Sequence, residues 1–456
     1  MTILFSIITL LSANLLLGTY GSSVGNILDP DIQVDYDNST NYFPDQIELD
    51  TKAVFTVEYQ LSYKYIYNQK TNQTFVLYQR GTPKPMPRSL HDTFFEVPLN
   101  KVGIITPTVV PYIEMLGLRE RIAYTTSADS PCIRKLRQEK KIASYPYDFL
   151  NSRNKIEQLP NFSNERIFSK RIQNVHEVSD ILESTGWLGF YATFFNMEKT
   201  ANTVVEAIIS NYNCFKKSAM KKTKKHKPVV AWVGFFSYQN VTYYGVSSAI
   251  NKFNLTIDAG ATMIDMKSID VPELKRDNDT HTLKQGDEQK IFAYKTAADI
   301  QKVLKDVDVL IDETYAYTYA NRYHYTPTFK DVLKQYGLAE SDTQFKFIKN
   351  KAIFRTDWIR SWWSESGWKF GSINMPDAAL EDVINAIHPG FHRQYVSHWM
   401  RNVYSDSKVN RAGAEECKDP KAQQPSLAHA CNFHGSRDTP SLRSLGALAR
   451  LITQWH

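Results

Sequence analysis

The sequence predicts an α/β protein with two lobes, each built on a mainly parallel sheet flanked by helices, joined by a long interlobe helix. The first observation is a strand-helix-strand unit. Residues 101–106 form an apolar strand, the next apolar residues follow helical spacing up to Gly117, and residues 121–124 form another apolar strand. Because two strands and a helix within about 25 residues are typical of parallel crossovers, we predict that the first lobe is α/β.

The second observation is that the same alternation returns after residue 228. Residues 228–233 and 307–311 are predicted strands, and apolar residues at helical spacing follow each of them. Residues 345–354, with a turn at Asn350, are predicted to add one or two strands, and a last helix stops at Pro389. A chain of 456 residues is too long for one ordinary core, which favours a second α/β lobe.

The third observation is a long helical pattern between the two lobes. Residues 197–217 carry apolar side chains at helical spacing, and a helix of that length measures about 30 Å, enough to bridge two lobes. Near the start of the first lobe, residues 53–67 and 74–78 are rich in β-forming residues and predict a β-hairpin.

The predicted divisions of the chain follow from these patterns. They are a signal peptide at 1–21, an acidic leader at 22–50, the N-terminal α/β lobe at 51–185, the interlobe helix region at 186–220, a Lys-rich linker at 221–228, the C-terminal α/β lobe at 229–402 and a tail of unassigned structure at 403–456.

The N-terminus predicts export. Residues 3–17 form an almost unbroken apolar run, followed by small and turn-forming residues. A run of about 15 residues suits the hydrophobic region of a signal peptide and is short for a membrane span. We therefore predict cleavage near Gly21 and a secreted protein, extracellular or at the cell surface; an uncleaved anchor is the alternative.

Export changes how the cysteines and asparagines are interpreted, because the chain then meets an oxidising and glycosylating compartment. The four cysteines Cys132, Cys214, Cys417 and Cys431 predict two disulfides. Three pairings are open, and we favour Cys132 with Cys214 and Cys417 with Cys431; the alternative leaves one pair as buried free thiols. The N-glycosylation sequons begin at Asn38, Asn72, Asn161, Asn240, Asn254 and Asn278.

Composition and motifs exclude several classes of function. The net charge of +6 is small for this length and lies partly in one lysine run, so we predict no nucleic-acid partner. The sequence contains no H-E-x-x-H motif, no glycine-rich phosphate loop and no G-x-G-x-x-G after a strand, which favours a protein without catalytic activity. A secreted hydrolase of unrecognised type stays open as the alternative, because glycosidase carboxylate pairs need no linear motif.

Five stretches, taken in their order along the chain, resemble a known family. The stretches are residues 102–107, 114–122, 187–196, 307–311 and 378–389. They are similar to the substrate-binding proteins of ABC importers for siderophores, haem and cobalamin, and to their fungal-type eukaryotic relatives, over about residues 50–400. The resemblance implies two α/β lobes joined by a rigid helix and a ferric siderophore, haem or cobalamin-like chelate as cargo. It also implies a membrane receptor or transporter as partner. We also predict a monomer without catalytic activity or required cofactor.

Ligands of open α/β sheets bind beyond the carboxyl ends of the strands, which selects the loops at 106–108, 234–244, 312–326 and 356–368. The three later loops combine aromatic and arginine side chains, which suit a large, flat, partly anionic ligand. The alternative is that half of these rings are core residues. The candidate contacts are Thr106, Tyr238, Tyr315, Tyr317, Arg322, Tyr323, Arg360, Trp362 and Trp363.

A bare metal ion is the competing cargo, because a metal-ion-binding protein needs only three or four converging ligands. His388 and His392 are four residues apart, but Pro389 interrupts the helix between them, and His324 stands alone among tyrosines. The sequence therefore predicts no metal site.

Overall fold

The computed structural model describes residues 25–50, 54–69, 71–104, 107–125, 130–144, 180–223, 227–238, 241–266, 291–315, 325–360, 366–393, 395–406, 408–411 and 413–431. The predicted signal peptide at 1–21 lies outside them. None of the helices in these ranges has both the length and the apolar character needed to cross a membrane.

The first half of the chain forms two sheets. Four strands, in the order β1-β2-β3-β4, make the first: β1 (Phe55–Tyr59), β2 (Tyr63–Asn68), β3 (Gln73–Gln79) and β4 (Thr93–Val97). The predicted hairpin is confirmed, since β2 and β3 pair antiparallel with Asn68 opposite Gln73. Three parallel strands make the second sheet: β5 (Val102–Ile104), β6 (Ile122–Thr125) and β7 (Ala143–Ser144).

Helix α1 (Val110–Met115) connects β5 to β6 and completes the predicted parallel unit. Gly117 follows it with φ +73°, a conformation that glycine adopts without a steric penalty, so the chain turns back toward the sheet there. Helix α2 (Pro131–Gln138) begins at Ser130, whose side chain accepts a hydrogen bond from the Ile133 amide. The first lobe is therefore α/β, as the apolar spacing predicted.

The long central helix is α4 (Glu198–Lys222), preceded by the buried helix α3 (Gly186–Thr193). Its 25 residues span about 37 Å. The inward face repeats every three or four residues and consists of Ala201, Val205, Ile208, Tyr212, Phe215 and Ala219. Helix α4 packs on α3 and on the last helix, α10 (Pro376–Ile387). One hydrophobic cluster therefore runs from the first sheets through α4 into the second half.

The second half forms a mixed seven-stranded sheet in the order β11-β9-β8-β12-β13-β14, with β10 also paired to β8. The strands are β8 (Val229–Tyr238), β9 (Val241–Ser247), β10 (Thr262–Met263), β11 (Ile291–Tyr294), β12 (Val309–Asp312), β13 (Ile353–Arg355) and β14 (Arg401–Asn402). The helices are α5 (Ile250–Asp258), α6 (Ala297–Leu304), α7 (Phe329–Gln335), α8 (Lys346–Lys349), α9 (Gly367–Gly371) and α10. The prediction for residues 345–354 is partly wrong, because α8 occupies their first half.

Residues 413–431, here called the C-terminal strap, return from the second half across the first. Two disulfides hold the strap: Cys132 of α2 bonds to Cys417, and Cys214 of α4 bonds to Cys431. The favoured pairing of Cys132 with Cys214 and of Cys417 with Cys431 is therefore wrong. That pairing assumed that the last two cysteines bond to each other. In the fold, each of them instead bonds to a different helix of the first half, Cys417 to α2 and Cys431 to α4.

Three of the six predicted glycosylation sites lie in described residues. Asn38 is exposed, Asn72 occupies the turn between β2 and β3, and Asn254 lies in α5. Asn161, Asn240 and Asn278 lie outside the described ranges. Glycosylation stays a prediction at all six.

Candidate functional site

The carboxyl end of β12, where Asp312 lies opposite Val233 of β8, forms the centre of the candidate site. Strands β10 and β12 flank β8 on opposite sides and run parallel to it, so the strand order reverses at β8. In open α/β sheets such a reversal opens a crevice beyond the carboxyl ends, because the connections leave in opposite directions. Just beyond the end of β12, the Phe235 amide of β8 donates to Thr314 Oγ1 at 2.9 Å.

Four side chains at or near the end of β12 are here called the strand-end rim: Lys252, Glu313, Tyr315 and Lys369. Lys252, from the first turn of α5, forms an ion pair with Glu313, and both are half-buried. Tyr315 is 50% exposed, and Lys369 Nζ donates to its hydroxyl at 2.8 Å. The rim thus offers an aromatic face beside ammonium groups.

The first lobe contacts the same side of the second lobe just after α9. Asn374 Nδ2 donates to the Thr108 carbonyl at 2.9 Å, which brings the segment following β5 against the segment following Lys369. Both residues are buried, and neither Thr108 Oγ1 nor Asn374 Oδ1 has a hydrogen-bond partner among the described residues. Buried polar atoms normally have a partner, so this junction favours a polar ligand group or water.

Beneath the loops that leave β12 and β13 lies a buried charge network centred on Asp357. Arg355 Nε donates to this carboxylate at 2.8 Å and Arg401 Nε at 2.6 Å, and Arg360 forms a third ion pair with it. Asp312 pairs with the other end of Arg355. Three guanidinium groups and two carboxylates leave one excess positive charge in this network.

The network holds its charges firmly. Burial opposes ionisation of Asp357, yet the surrounding guanidinium groups of Arg355, Arg401 and Arg360 hold the pKa of its carboxyl well below the usual range. Burial, together with repulsion from Arg355 and Arg401, lowers the pKa of Arg360 to about 10 despite the attraction of Asp357. Asp357 is therefore ionised at any physiological pH, and it anchors β13 through Arg355, β14 through Arg401 and the segment at Arg360.

Three of the nine predicted ligand contacts lie in described residues, and their surroundings differ. Tyr315 lies on the rim, and Tyr238 is the last residue of β8. Arg360 is buried. Its guanidinium pairs with Asp357 and donates to the Tyr325 carbonyl, so in this structure it fixes the segment after β13 to the segment at Tyr325. Arg360 and Ser366 form an isolated antiparallel β-bridge. The predicted contacts outside the described ranges are Thr106, Tyr317, Arg322, Tyr323, Trp362 and Trp363.

A second cluster, not predicted from the sequence, surrounds Glu381 on α10. Its buried carboxylate lies 2.6 Å from His392 Nδ1, 2.8 Å from His398 Nε2 and 3.1 Å from His429 Nδ1. Burial raises the pKa of Glu381, but hydrogen bonds from His398 and His392 outweigh this and lower it to about 2. Burial likewise opposes protonation of His398, yet Asp382 and Glu381 raise its pKa.

A cavity of about 390 Å³ adjoins this cluster, between α10 and β14. Its lining mixes polar and apolar side chains, with His392 on one side. The sequence carried a partial signal, since His392 was considered as a ligand, but with His388. In the structure His388 instead faces the Ala259 carbonyl, while His392 turns to Glu381 and to His429 of the strap.

A scan against protein-family models and a search of curated proteins both found no match. Among solved structures, the CeuE protein of Helicobacter pylori with Ni(II) bound is 12% identical, with a TM-score of 0.40 over 66% of this chain and 87% of that chain. A periplasmic binding protein from Veillonella parvula gives 11% identity and a TM-score of 0.41, covering 65% and 87%. The periplasmic haem-binding protein RhuT from Roseiflexus sp. RS-1, in its apo form, gives 11% and 0.39, covering 64% and 99%.

Proposed function

We propose that the protein captures a small ligand between the strand-end rim and the facing segment of the first lobe, and that it performs no chemistry on that ligand. The observation that carries the proposal is the reversal of strand order at β8, beside the carboxyl end of β12, where Asp312 lies opposite Val233 of β8. Ligands of open α/β sheets occupy such a crevice. The contact of Thr108 with Asn374 brings the first lobe to the same side.

The chemistry of the described residues favours an anionic ligand with a flat apolar surface. Tyr315 supplies an exposed ring, and Lys369 and Lys252 supply ammonium groups at the rim. Beneath them, the excess positive charge of the Asp357 network adds to the attraction for an anion. Within the classes implied by the resemblance, a ferric siderophore, haem or a cobalamin-like chelate combines these properties. Export to the extracellular space or cell surface belongs to the same proposal.

A titration with defined ligands tests this function. The secreted chain is purified, its visible absorption is recorded, and haem, a ferric siderophore and cobalamin are added in turn while intrinsic tryptophan fluorescence is followed. We expect one of the three to bind with one-to-one stoichiometry. Tyr315→Ala with Lys369→Ala should weaken that binding at least tenfold, about 1.4 kcal/mol, because the pair supplies the exposed aromatic and cationic contacts.

The chain offers a matched control for this double variant. Lys351 and Tyr404 form another exposed lysine-tyrosine pair, with the ammonium 4.0 Å from the ring centroid, beside the amino end of β13. Lys351→Ala with Tyr404→Ala should leave ligand affinity unchanged. If all three ligands fail to bind, or if both double variants weaken binding equally, capture at the strand-end rim is wrong.

A further inference from the structure

Glu381, His392 and His429 bring three ligand atoms together from separate parts of the chain. Glu381 lies within α10, His392 lies in the turn after this helix, and His429 belongs to the C-terminal strap. One carboxylate oxygen and one ring nitrogen from each histidine all lie within 4.8 Å of one another. The rings of His392 and His429 meet edge to face, with centroids 5.2 Å apart, so neither ring blocks the other.

The spacing and the donor types suit a zinc-like ion. Zinc bonds to imidazole nitrogen and carboxylate oxygen are about 2.0–2.2 Å long, which places neighbouring ligand atoms about 3.3–3.6 Å apart in a tetrahedron. Glu381 Oε1 lies 2.6 Å from His392 Nδ1 and 3.1 Å from His429 Nδ1. Small outward movements of the two rings, one of them on the partly exposed strap, would therefore admit the ion.

The other oxygen of Glu381 is held by separate groups. His398 Nε2 lies 2.8 Å from Oε2, and the backbone amide of His429 donates to the same oxygen at 2.9 Å. Metal-binding carboxylates commonly have such outer partners, because these fix the orientation of the group and leave one oxygen for the ion. Glu381 is therefore positioned before any ion arrives.

The cluster is accessible from outside. The His392 side chain is 17% exposed and that of His429 30%, although Glu381 itself is fully buried. The 390 Å³ cavity beside His392 supplies room for water on that side. An ion held by three protein ligands would thus keep a fourth position for water, an arrangement that zinc adopts when three side chains bind it.

We propose that Glu381, His392 and His429 bind one divalent transition-metal ion of the zinc type, which fastens the C-terminal strap to α10. This site is separate from the strand-end rim and does not depend on the proposed ligand capture. Both protein disulfides lie at the strap, and one of its cysteines, Cys431, follows His429 by two residues. The ion would hold the strap at the one segment, near His429, where it crosses the buried carboxylate.

The test uses the full secreted chain, produced without an affinity tag, stripped with EDTA and titrated with Zn²⁺ by calorimetry. We expect one tight site per chain, and a Co²⁺-loaded sample should show visible absorption bands of a four- or five-coordinate ion. His429→Asn and Glu381→Gln should each lower zinc affinity at least tenfold. His91→Asn is the control, because His91 is exposed and remote in sequence from the cluster.

Circular dichroism establishes that each variant is folded, and His429→Asn keeps the test valid if Glu381→Gln does not fold, because His429 lies on the partly exposed strap. Absence of a stoichiometric site in the wild-type chain would overturn the proposal. So would zinc binding that survives in folded His429→Asn at wild-type affinity, or that falls equally in His91→Asn, since the ion would then be bound elsewhere.

Discussion

Two buried carboxylates in the second half of the chain have the same number of cationic or potentially cationic neighbours. Asp357 contacts the guanidinium groups of three arginines, and Glu381 contacts the imidazole rings of three histidines. Guanidinium groups keep their charge and only donate hydrogen bonds. Imidazole can lose its proton and then presents a lone pair.

The difference in neighbours separates the roles of the two carboxylates. The side chains of the Asp357 network are arginines and carboxylates, and of these only the carboxylates could bind a metal ion. The network joins β13, β14 and the segment at Arg360 into a rigid support. The Glu381 cluster can exchange its hydrogen bonds for metal bonds. Asp357 therefore acts as a structural support, because its arginine neighbours keep their protons, whereas Glu381 can share a metal ion with histidines that lose theirs.

The largest effect is expected at Asp357. Asp357→Asn keeps the shape of the side chain but leaves three buried guanidinium groups without a full counter-charge, so the free energy of unfolding should fall by about 3–5 kcal/mol. Urea denaturation followed by circular dichroism measures it. Asp306→Asn is the control, because its side chain is 77% exposed in a loose pair with Lys305, and it should change stability by less than about 1 kcal/mol. A loss at Asp357 no larger than the control would remove the support role.

The next largest effect on stability is expected from removing a disulfide. Comparing the two disulfides also shows which part of the strap positions the metal ligand His429. Replacing Cys214 and Cys431 with serine should cost about 2–5 kcal/mol of stability and weaken zinc binding at least tenfold, because His429 is two residues from Cys431. Replacing Cys132 and Cys417 is the matched control. It should cost a similar amount of stability while zinc affinity, measured by calorimetry on both double variants, stays close to wild type. Equal losses of affinity would show that the whole strap, and not its end at His429, positions the ligand.

The smallest effect on stability is expected at Glu381, and it tests the comparison with Asp357 directly. In the metal-free protein, Glu381→Gln should lower the free energy of unfolding by about 1–3 kcal/mol, less than Asp357→Asn, because the histidines left behind can become neutral. Parallel urea denaturation of the two variants in EDTA gives the difference. A cost at Glu381 as large as that at Asp357 would contradict the distinction between exchangeable and permanent charges.

Local patterns predicted several elements correctly. The hairpin of β2 and β3, the parallel unit around α1 and the long helix α4 each depend on side-chain periodicity within a short segment. The segment at 345–354 shows where this reasoning fails. A short apolar run suits a strand or a helix equally, and packing under β12 selects a single helical turn for α8.

The candidate sites were likewise predicted only in part. The choice of strand ends came from the sequence, and Tyr315 follows the end of β12, but the burial of Arg360 against Asp357 could not be predicted from its neighbours in the chain. The sequence suggests His388 as a partner for His392 only because the two are four residues apart, with Pro389 interrupting the helix between them. The partner of His392 in the structure, His429, is 37 residues further on, beyond any helical or strand period.

The sequence by itself determined the α/β class, the position of the long helix and the presence of two disulfides, since these follow from local periodicity and from an even count of cysteines. Only the tertiary structure decided which cysteines pair, where the strap runs and which histidines surround Glu381. The physical reason is that these contacts join segments up to 285 residues apart. Their partners are chosen by how helices and sheets pack together, which local sequence spacing does not encode.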